Sequence, residues 1–177
     1  MPIAIVRSRR LFTGVALAAS TVAIASCSLG GNSSLPPFTD AATQTYDAAT
    51  GVTITNMTRV NASVFTQDLT VGTGRVIAVG DSLNVYYKGF LTSGFVFGSR
   101  ARTDSSLAVV LDTTQLIKGW VNGIAGMKTG GTRKLVIGPE SGYQYTARTD
   151  ASGTIIIIPS NSVLIFDVEA VRSSPKP

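Results

Sequence analysis

A chain of 177 residues that is 44% hydrophobic and 14% charged carries enough apolar side chains to bury a core, and its length points to one domain plus appendages, not to a chain disordered throughout. The formal charge is +5, but Arg7, Arg9 and Arg10 sit at the extreme N-terminus; without them twelve basic residues face ten acidic ones, scattered with no run longer than Arg133-Lys134, which excludes a phosphate-tracking stripe and with it nucleic-acid binding. No histidine and a single cysteine exclude catalytic triads, the usual zinc sites and disulfide frameworks, so no metal or cofactor is expected.

Residues 1–26 have the layout of a signal peptide. Met1 to Arg10 carries only positive charge, Leu11 to Ile24 is apolar or small, and Ala25-Ser26 are small residues ahead of Cys27. The apolar run is short for a membrane span. Ile24-Ala25-Ser26-Cys27 resembles the bacterial lipobox, which implies lipidation of Cys27 and gives the lone cysteine a role. Ser8-Arg9-Arg10-Leu11-Phe12 resembles a twin-arginine export motif, although Thr13-Gly14 follow where that pattern has an apolar residue and often lysine; general secretion and twin-arginine export both remain open. Several acyl chains would hold the protein stably on a membrane. Ser28 after the cysteine points to the outer membrane, so the expected location is the cell envelope, exported, lipid-anchored and facing the periplasm.

Residues 27–60 read as the lipidated cysteine and a flexible tether. The stretch from Ser28 to about Gly51 is rich in Gly, Ser, Asn, Thr and Ala, contains Pro36-Pro37 and shows no sustained apolar period. Val52 to Val64 is β-prone and offers a first strand. From Leu69 onward short strands alternate with turns at Gly72-Thr73-Gly74, Gly80-Asp81, Ser93-Gly94, Gly130-Gly131 and Ser152-Gly153. Strands are expected over Leu83 to Leu91, Arg133 to Ile137 and Val163 to Val171. In the last, Leu164, Phe166, Val168 and Ala170 share one face and Asp167 and Glu169 the other, so one face should meet a core.

A single helix is expected between Thr113 or Thr114, candidate N-caps, and Gly123, a candidate stop. Leu116 with Trp120 and Ile117 with Val121 would form apolar i,i+4 pairs on it. Gly119 inside it costs about 1 kcal/mol relative to alanine, so packing has to stabilise the helix.

Taken in order, these motifs resemble the FKBP-type peptidyl-prolyl cis/trans isomerases from about Phe65 to Arg172. The series runs Gly72-Thr73-Gly74, Gly80-Asp81, Val85-Tyr86-Tyr87-Lys88-Gly89, Gly94, Phe97, Leu116-Ile117-Lys118-Gly119-Trp120, Gly123 and Gly126-Met127. It continues through Gly130-Gly131, Arg133-Lys134-Leu135, Gly142-Tyr143, Ile158-Pro159 and Leu164-Ile165-Phe166-Asp167-Val168-Glu169. Each motif alone is weak; the ordered series is specific.

The resemblance implies an α+β domain over residues 61–173, an FKBP-like twisted antiparallel β half-barrel wrapped around one short α-helix, with residues 174–177 as a tail. It also implies an isomerase that assists folding of exported proteins, in a chaperone role, by non-covalent stabilisation of a twisted Xaa-Pro amide in an apolar aromatic pocket. Carried over residue by residue, Trp120 is the pocket's floor. Tyr87, Phe97, Ile117, Tyr143 and Phe166 join it as catalytic positions, and Leu107, Leu116 and Ile158 contact substrate. The Ile117 position would offer its backbone N–H, and the Tyr143 position its phenol, to substrate carbonyls. Tyr86, alternating away from Tyr87, is read as structural. The expected partners are proline-containing polypeptides, the membrane through Cys27, and a macrolide ligand in the same pocket.

This chain departs from the family at several points. Gly98 stands where an aspartate usually follows the Phe97 position, Leu107 where an aromatic is usual, Gly138 where proline is common, and Gln144 where glycine usually follows the tyrosine. The loop from Gln144 to Ile157 is several residues longer than usual. These departures support an alternative, a catalytically weak FKBP-like module that binds peptides as a chaperone.

Overall fold

A computed structural model describes residues 35–175. The chain divides into a unit Met1–Leu35 and a unit Pro36–Pro177. The signal peptide and Cys27 lie outside the described residues.

β-Branched and aromatic residues dominate the strands, and the longest of them organise the sheet. In chain order the strands are β1 (Thr58–Asn61), β2 (Val64–Thr70), β3 (Ser82–Leu91), β4 (Val96–Arg100), β5 (Leu107–Val110), β6 (Thr132–Ile137), β7 (Arg148–Thr149), β8 (Ile156–Ile158) and β9 (Leu164–Ser174). Seven form one antiparallel sheet in the order β1-β2-β6-β9-β3-β4, with β5 pairing the first half of β3 while β4 pairs its second half. β7 and β8 form a separate hairpin. The sheet curves around one helix, α1 (Lys118–Ile124), without closing into a barrel. This is the α+β half-barrel expected from the motif series. The first strand expected within 52–64 is β1, and β9 runs one residue past the expected domain end, to Ser174.

The concave face holds the core around α1. Leu164, Phe166, Val168 and Ala170 of β9 all point into it, with Leu83 and Val85 of β3 and Leu135 and Ile137 of β6. Glycines at 119 and 123 let α1 lie directly on β6. A Cβ at 119 would come within 2.3 Å of Ile137 Cγ2, and one at 123 within 2.8 Å of Leu135 Cδ2. The local helix propensity lost at Gly119 is therefore exchanged for close helix–sheet packing.

The helix starts later than the sequence pattern indicates. Thr113 and Thr114 do not cap it: Asp112 does the local capping instead, its carboxylate accepting from the N–H groups of Thr114 (3.0 Å) and Gln115 (3.1 Å) to make a turn. Ile117 is the helix N-cap with no side-chain cap bond, and the helix passes Gly123 to end at Ile124. Leu116 and Ile117 thus precede the helix and pack against the core, Leu116 from the end of the turn, its N–H donating to Asp112 O (3.1 Å), and Ile117 from an extended backbone.

The convex face differs more. One face was expected to be polar, yet Phe65, Val136, Ile165 and Phe90 form a continuous apolar row across β2, β6, β9 and β3, each paired with the next by strand register. All four are buried. The cover comes from residues 36–57, read from composition as part of a tether over 27–60. Here they wrap the row with Ala41, Tyr46, Val52, Ile54 and Met57. Burying such side chains stabilises by about 1.5–3 kcal/mol each, which outweighs the weak local preference of this Ala- and Thr-rich stretch.

Two copies of Asp-Ala-Ala-Thr, at 40–43 and 47–50, each form a 3-10 turn whose aspartate caps it by accepting from the N–H two residues on. Lys134 Nζ, buried, donates to Thr50 O (2.6 Å) and pairs with Asp167 (2.5 Å). Phe38 stacks on Tyr145 at 4.7 Å, and Asn161 Oδ1 accepts from Thr39 N (3.0 Å). Among the described residues the packed unit therefore starts at Pro36, ahead of the boundary expected at residue 61.

Candidate functional site

Residues from six strands, α1 and two connecting segments converge on a cleft of about 580 Å³ between helix and sheet. Trp120, in the first turn of α1, is 4% exposed and forms its floor. Tyr87 from β3 meets Trp120 edge-on, ring centroids 5.5 Å apart at 80°. Phe166 from β9 meets Trp120 at 5.3 Å and 90°, and Phe97 from β4 meets Phe166 at 5.4 Å and 83°. Such edge-to-face pairs are the favoured geometry of aromatic quadrupoles and hold each ring in one orientation.

A bare backbone makes room for this cluster. Gly89 pairs with both Gly98 and Phe166 across the sheet, and a Cβ on it would lie 2.6 Å from the Phe97 ring. The Gly89 of the Tyr-Tyr-Lys-Gly motif is thus a seat for Phe97.

All nine positions expected to act on or contact substrate line this one cleft: Tyr87, Phe97, Leu107, Leu116, Ile117, Trp120, Tyr143, Ile158 and Phe166. Gly98 lines it too, where the family usually carries a carboxylate; a Cβ there would lie 3.6 Å from the Tyr87 hydroxyl, ordinary contact distance. Tyr86 is half-buried and does not line the cleft. Cys27 lies outside the described residues.

Five further residues line the cleft that sequence reasoning did not place there: Thr113 and Thr114, read as candidate helix caps, and Gln115, Arg148 and Ile157. The first three come with the Asp112 turn ahead of the helix, for which the Asp-Thr-Thr sequence is the signal. Arg148 and Ile157 come from the long loop between Gln144 and Ile157. That loop folds back as the β7–β8 hairpin at the edge of the cleft and leaves it open. Asp150 closes the hairpin by accepting from Ile155 N (3.0 Å), Ser152 Oγ (2.7 Å) and Thr154 N (3.1 Å), which holds its carboxyl below the ordinary carboxylate range.

Two donors are free to meet a ligand. The Ile117 N–H donates to no group among the described residues, while the Ile117 carbonyl accepts from Trp120 N at 3.0 Å to start the helix. The Tyr143 phenol has no hydrogen-bond partner among the described residues. Burial pushes its pKa up, the Arg148 charge pulls it back, and Tyr87 adds a smaller upward push, so the proton stays on the phenol at neutral pH. Among the described residues no group of three His, Cys, Asp or Glu side chains is placed to hold a metal ion.

An open aromatic cleft with neutral donors can hold an apolar ring and hydrogen-bond the carbonyls beside it, and among the described residues no Cys, His, Asp or Glu lines it. Known proteins share both sequence and architecture. An FK506-binding protein of Neisseria meningitidis is 38% identical over 110 residues, 62% of this chain and 95% of its own length. A probable FKBP-type peptidyl-prolyl cis-trans isomerase of Haemophilus influenzae is 40% identical over 105 residues, 59% of this chain and 40% of its own length. The crystal structure of FkpA from Escherichia coli superposes with a TM-score of 0.58 at 33% identity, covering 69% of this chain and 53% of that one. With the sequence pattern of that isomerase family matching residues 68–171, the stretch that supplies every ring of the cleft, the chain belongs to the FKBP-type peptidyl-prolyl cis-trans isomerases.

Proposed function

We propose that the cleft over Trp120 is where this isomerase receives the proline of an Xaa-Pro segment, with the Ile117 N–H and the Tyr143 phenol holding the flanking carbonyls. The observation that carries this reading is the conjunction of an open, aromatic-walled cleft with two donors unclaimed by the protein. Rotation about an Xaa-Pro amide is slow because resonance gives a barrier of roughly 18–20 kcal/mol. The planar amide is more charge-separated than the twisted one. Moving it from water to the faces of Trp120, Tyr87 and Phe166 therefore disfavours the planar state relative to the twisted one, and the barrier falls without proton transfer. The aromatic cluster keeps the walls rigid, so little has to be reorganised when the ring enters.

Gly98 supports a second reading, a module that binds proline segments with slow turnover. Without a carboxylate beside Tyr87 the phenols have no anionic partner in the cleft, and an FK506-like ligand loses one polar contact. A single experiment separates the two: the full chain and Gly98→Asp are assayed on Xaa-Pro peptides, with peptide binding followed through Trp120 fluorescence. Fast wild-type isomerisation supports the first reading. Uncatalysed rates with intact binding, restored by Gly98→Asp, support the second.

The cell-envelope location belongs to the same proposal. The basic n-region, the short apolar run and the lipobox-like Ile24-Ala25-Ser26-Cys27 support export and a lipid anchor, which would place a folding catalyst beside newly exported chains. Incorporation of labelled palmitate that is lost in Cys27→Ser is the expected result; labelling that survives the substitution would refute the anchor.

A further inference from the structure

Most of the cleft's lining residues are apolar or aromatic; Thr113, Thr114 and Gln115 add neutral polar groups, and one charged side chain among the described residues lines it, that of Arg148. Strand β7 holds it there by pairing Arg148 with Ile158, itself a wall residue. The guanidinium carbon lies 4.4 Å from the centroid of the Tyr143 ring, so cation–π attraction keeps the charge beside the phenol that faces a ligand.

Four of the cations that the fold places are matched by acids, and Arg148 is one of those that are not. Arg75, Arg102, Arg133 and Lys134 each pair with a carboxylate: Asp81, Glu169, Asp68 and Asp167. Arg148 is exposed and forms no salt bridge among the described residues. Two acids close in sequence to the cleft's segments accept hydrogen bonds within their own turns. Asp150 accepts from Ser152, Thr154 and Ile155 inside the hairpin, and Asp112 accepts from Thr114 and Gln115 in the turn before the helix. Among the described residues no carboxylate lines the cleft, and Gly98 occupies the place on β4 beside Tyr87. The cleft therefore carries positive charge at its edge and, among the described residues, no opposite charge within it.

We propose that Arg148 is a specificity-determining residue that selects proline segments carrying Asp or Glu beside the proline and disfavours Lys or Arg there. This rests on the cleft being the Xaa-Pro site. Two unit charges about 6 Å apart at a solvent-exposed edge change affinity about threefold, in opposite directions for an acid and a base, so a Glu peptide outperforms its Lys counterpart about tenfold at low salt. Salt at about 1 M, with a Debye length of about 3 Å, removes most of that difference.

The test uses the full chain and two peptide sets, one with Glu, Gln or Lys before the proline and one with the same residues after it. Isomerisation is followed by NMR exchange, and binding by the fluorescence of Trp120, the protein's one tryptophan. In at least one set the Glu-to-Lys ratio should be near ten, fall toward one at high salt and in Arg148→Gln, and invert in Arg148→Glu. A wild-type ratio near one in both sets, or a ratio that survives Arg148→Gln, overturns the proposal. Peptides that bind with the Arg148-dependent ratio but are not isomerised would uphold the selectivity and count against the catalytic reading alone. Peptides that leave Trp120 unchanged and are not isomerised would sink both.

Discussion

Replacing Gly119 with alanine tests how the helix sets the floor of the cleft. The new methyl would lie 2.3 Å from Ile137 Cγ2, 2.7 Å from Cδ1 and 2.8 Å from Cγ1, and Ile137 is fully buried, at 0% exposure, so its side chain has nowhere to go. Overpacking costs about 1–3 kcal/mol, and three contacts under 3 Å on a branched side chain put this case at the upper end. Alanine's better helix propensity returns about 1 kcal/mol, leaving a net loss of about 2 kcal/mol. For a domain of this size that lowers Tm by roughly 4–8 °C. Because the next residue is Trp120, kcat/KM should fall as well. Ile137→Ala removes all three clashing atoms, so the double variant should be less destabilised than the two single losses added, by more than about 1 kcal/mol. Urea unfolding followed by Trp120 fluorescence measures all four proteins. Wild-type stability in Gly119→Ala, or strict additivity with Ile137→Ala, would refute the close-packing account.

Tyr143→Phe keeps the ring and removes one donor, so kcat/KM should fall about two- to tenfold, the range of a single net hydrogen bond; an unchanged value would show that the phenol does not act. Since burial raises the Tyr143 pKa above the ordinary tyrosine value and the chain has no histidine, kcat/KM should be flat between about pH 6 and 9; a break near neutrality would point to an ionising group the cleft does not show. Hydrogen bonds from Arg75, then from the Ala78 N–H, hold the Asp81 carboxyl below its ordinary value. A depressed folded pKa gives stability that is present above the unfolded value near 4 and is lost as pH falls through the folded one. Asp81→Asn should therefore be clearly less stable than wild type at pH 7 and closer to it at pH 3, as thermal melts at the two values would show; an equal gap at both would contradict the ion-pair reading.

The concave side of this molecule was legible because its signals are local. Period-two alternation in Leu164, Phe166, Val168 and Ala170 marks one face of a strand wherever it ends up, and the family's motif order carries Tyr87, Trp120, Tyr143 and Phe166 to one place. The convex side was not legible for the same reason. Phe65, Phe90, Val136 and Ile165 are single apolar residues on four different strands, and only their register makes them a row that must be covered. The helix start was misplaced because Thr113 and Thr114 look like caps, while the Asp112 carboxylate had already taken the N–H groups that a turn offers.

Read alone, the chain's residues determined short strands around one helix and the absence of histidine chemistry, which depend on side-chain identity and short-range periodicity, while the half-barrel and the aromatic set of the cleft came through the motif order that resembles the FKBP-type family. Tertiary structure decided that residues 36–57 form a packed strap, that the loop after Gln144 stands as a hairpin beside an open cleft, and that Arg148 lies over Tyr143. Each of these depends on which distant surfaces meet, and burial and charge act between neighbours in space whatever their separation along the chain.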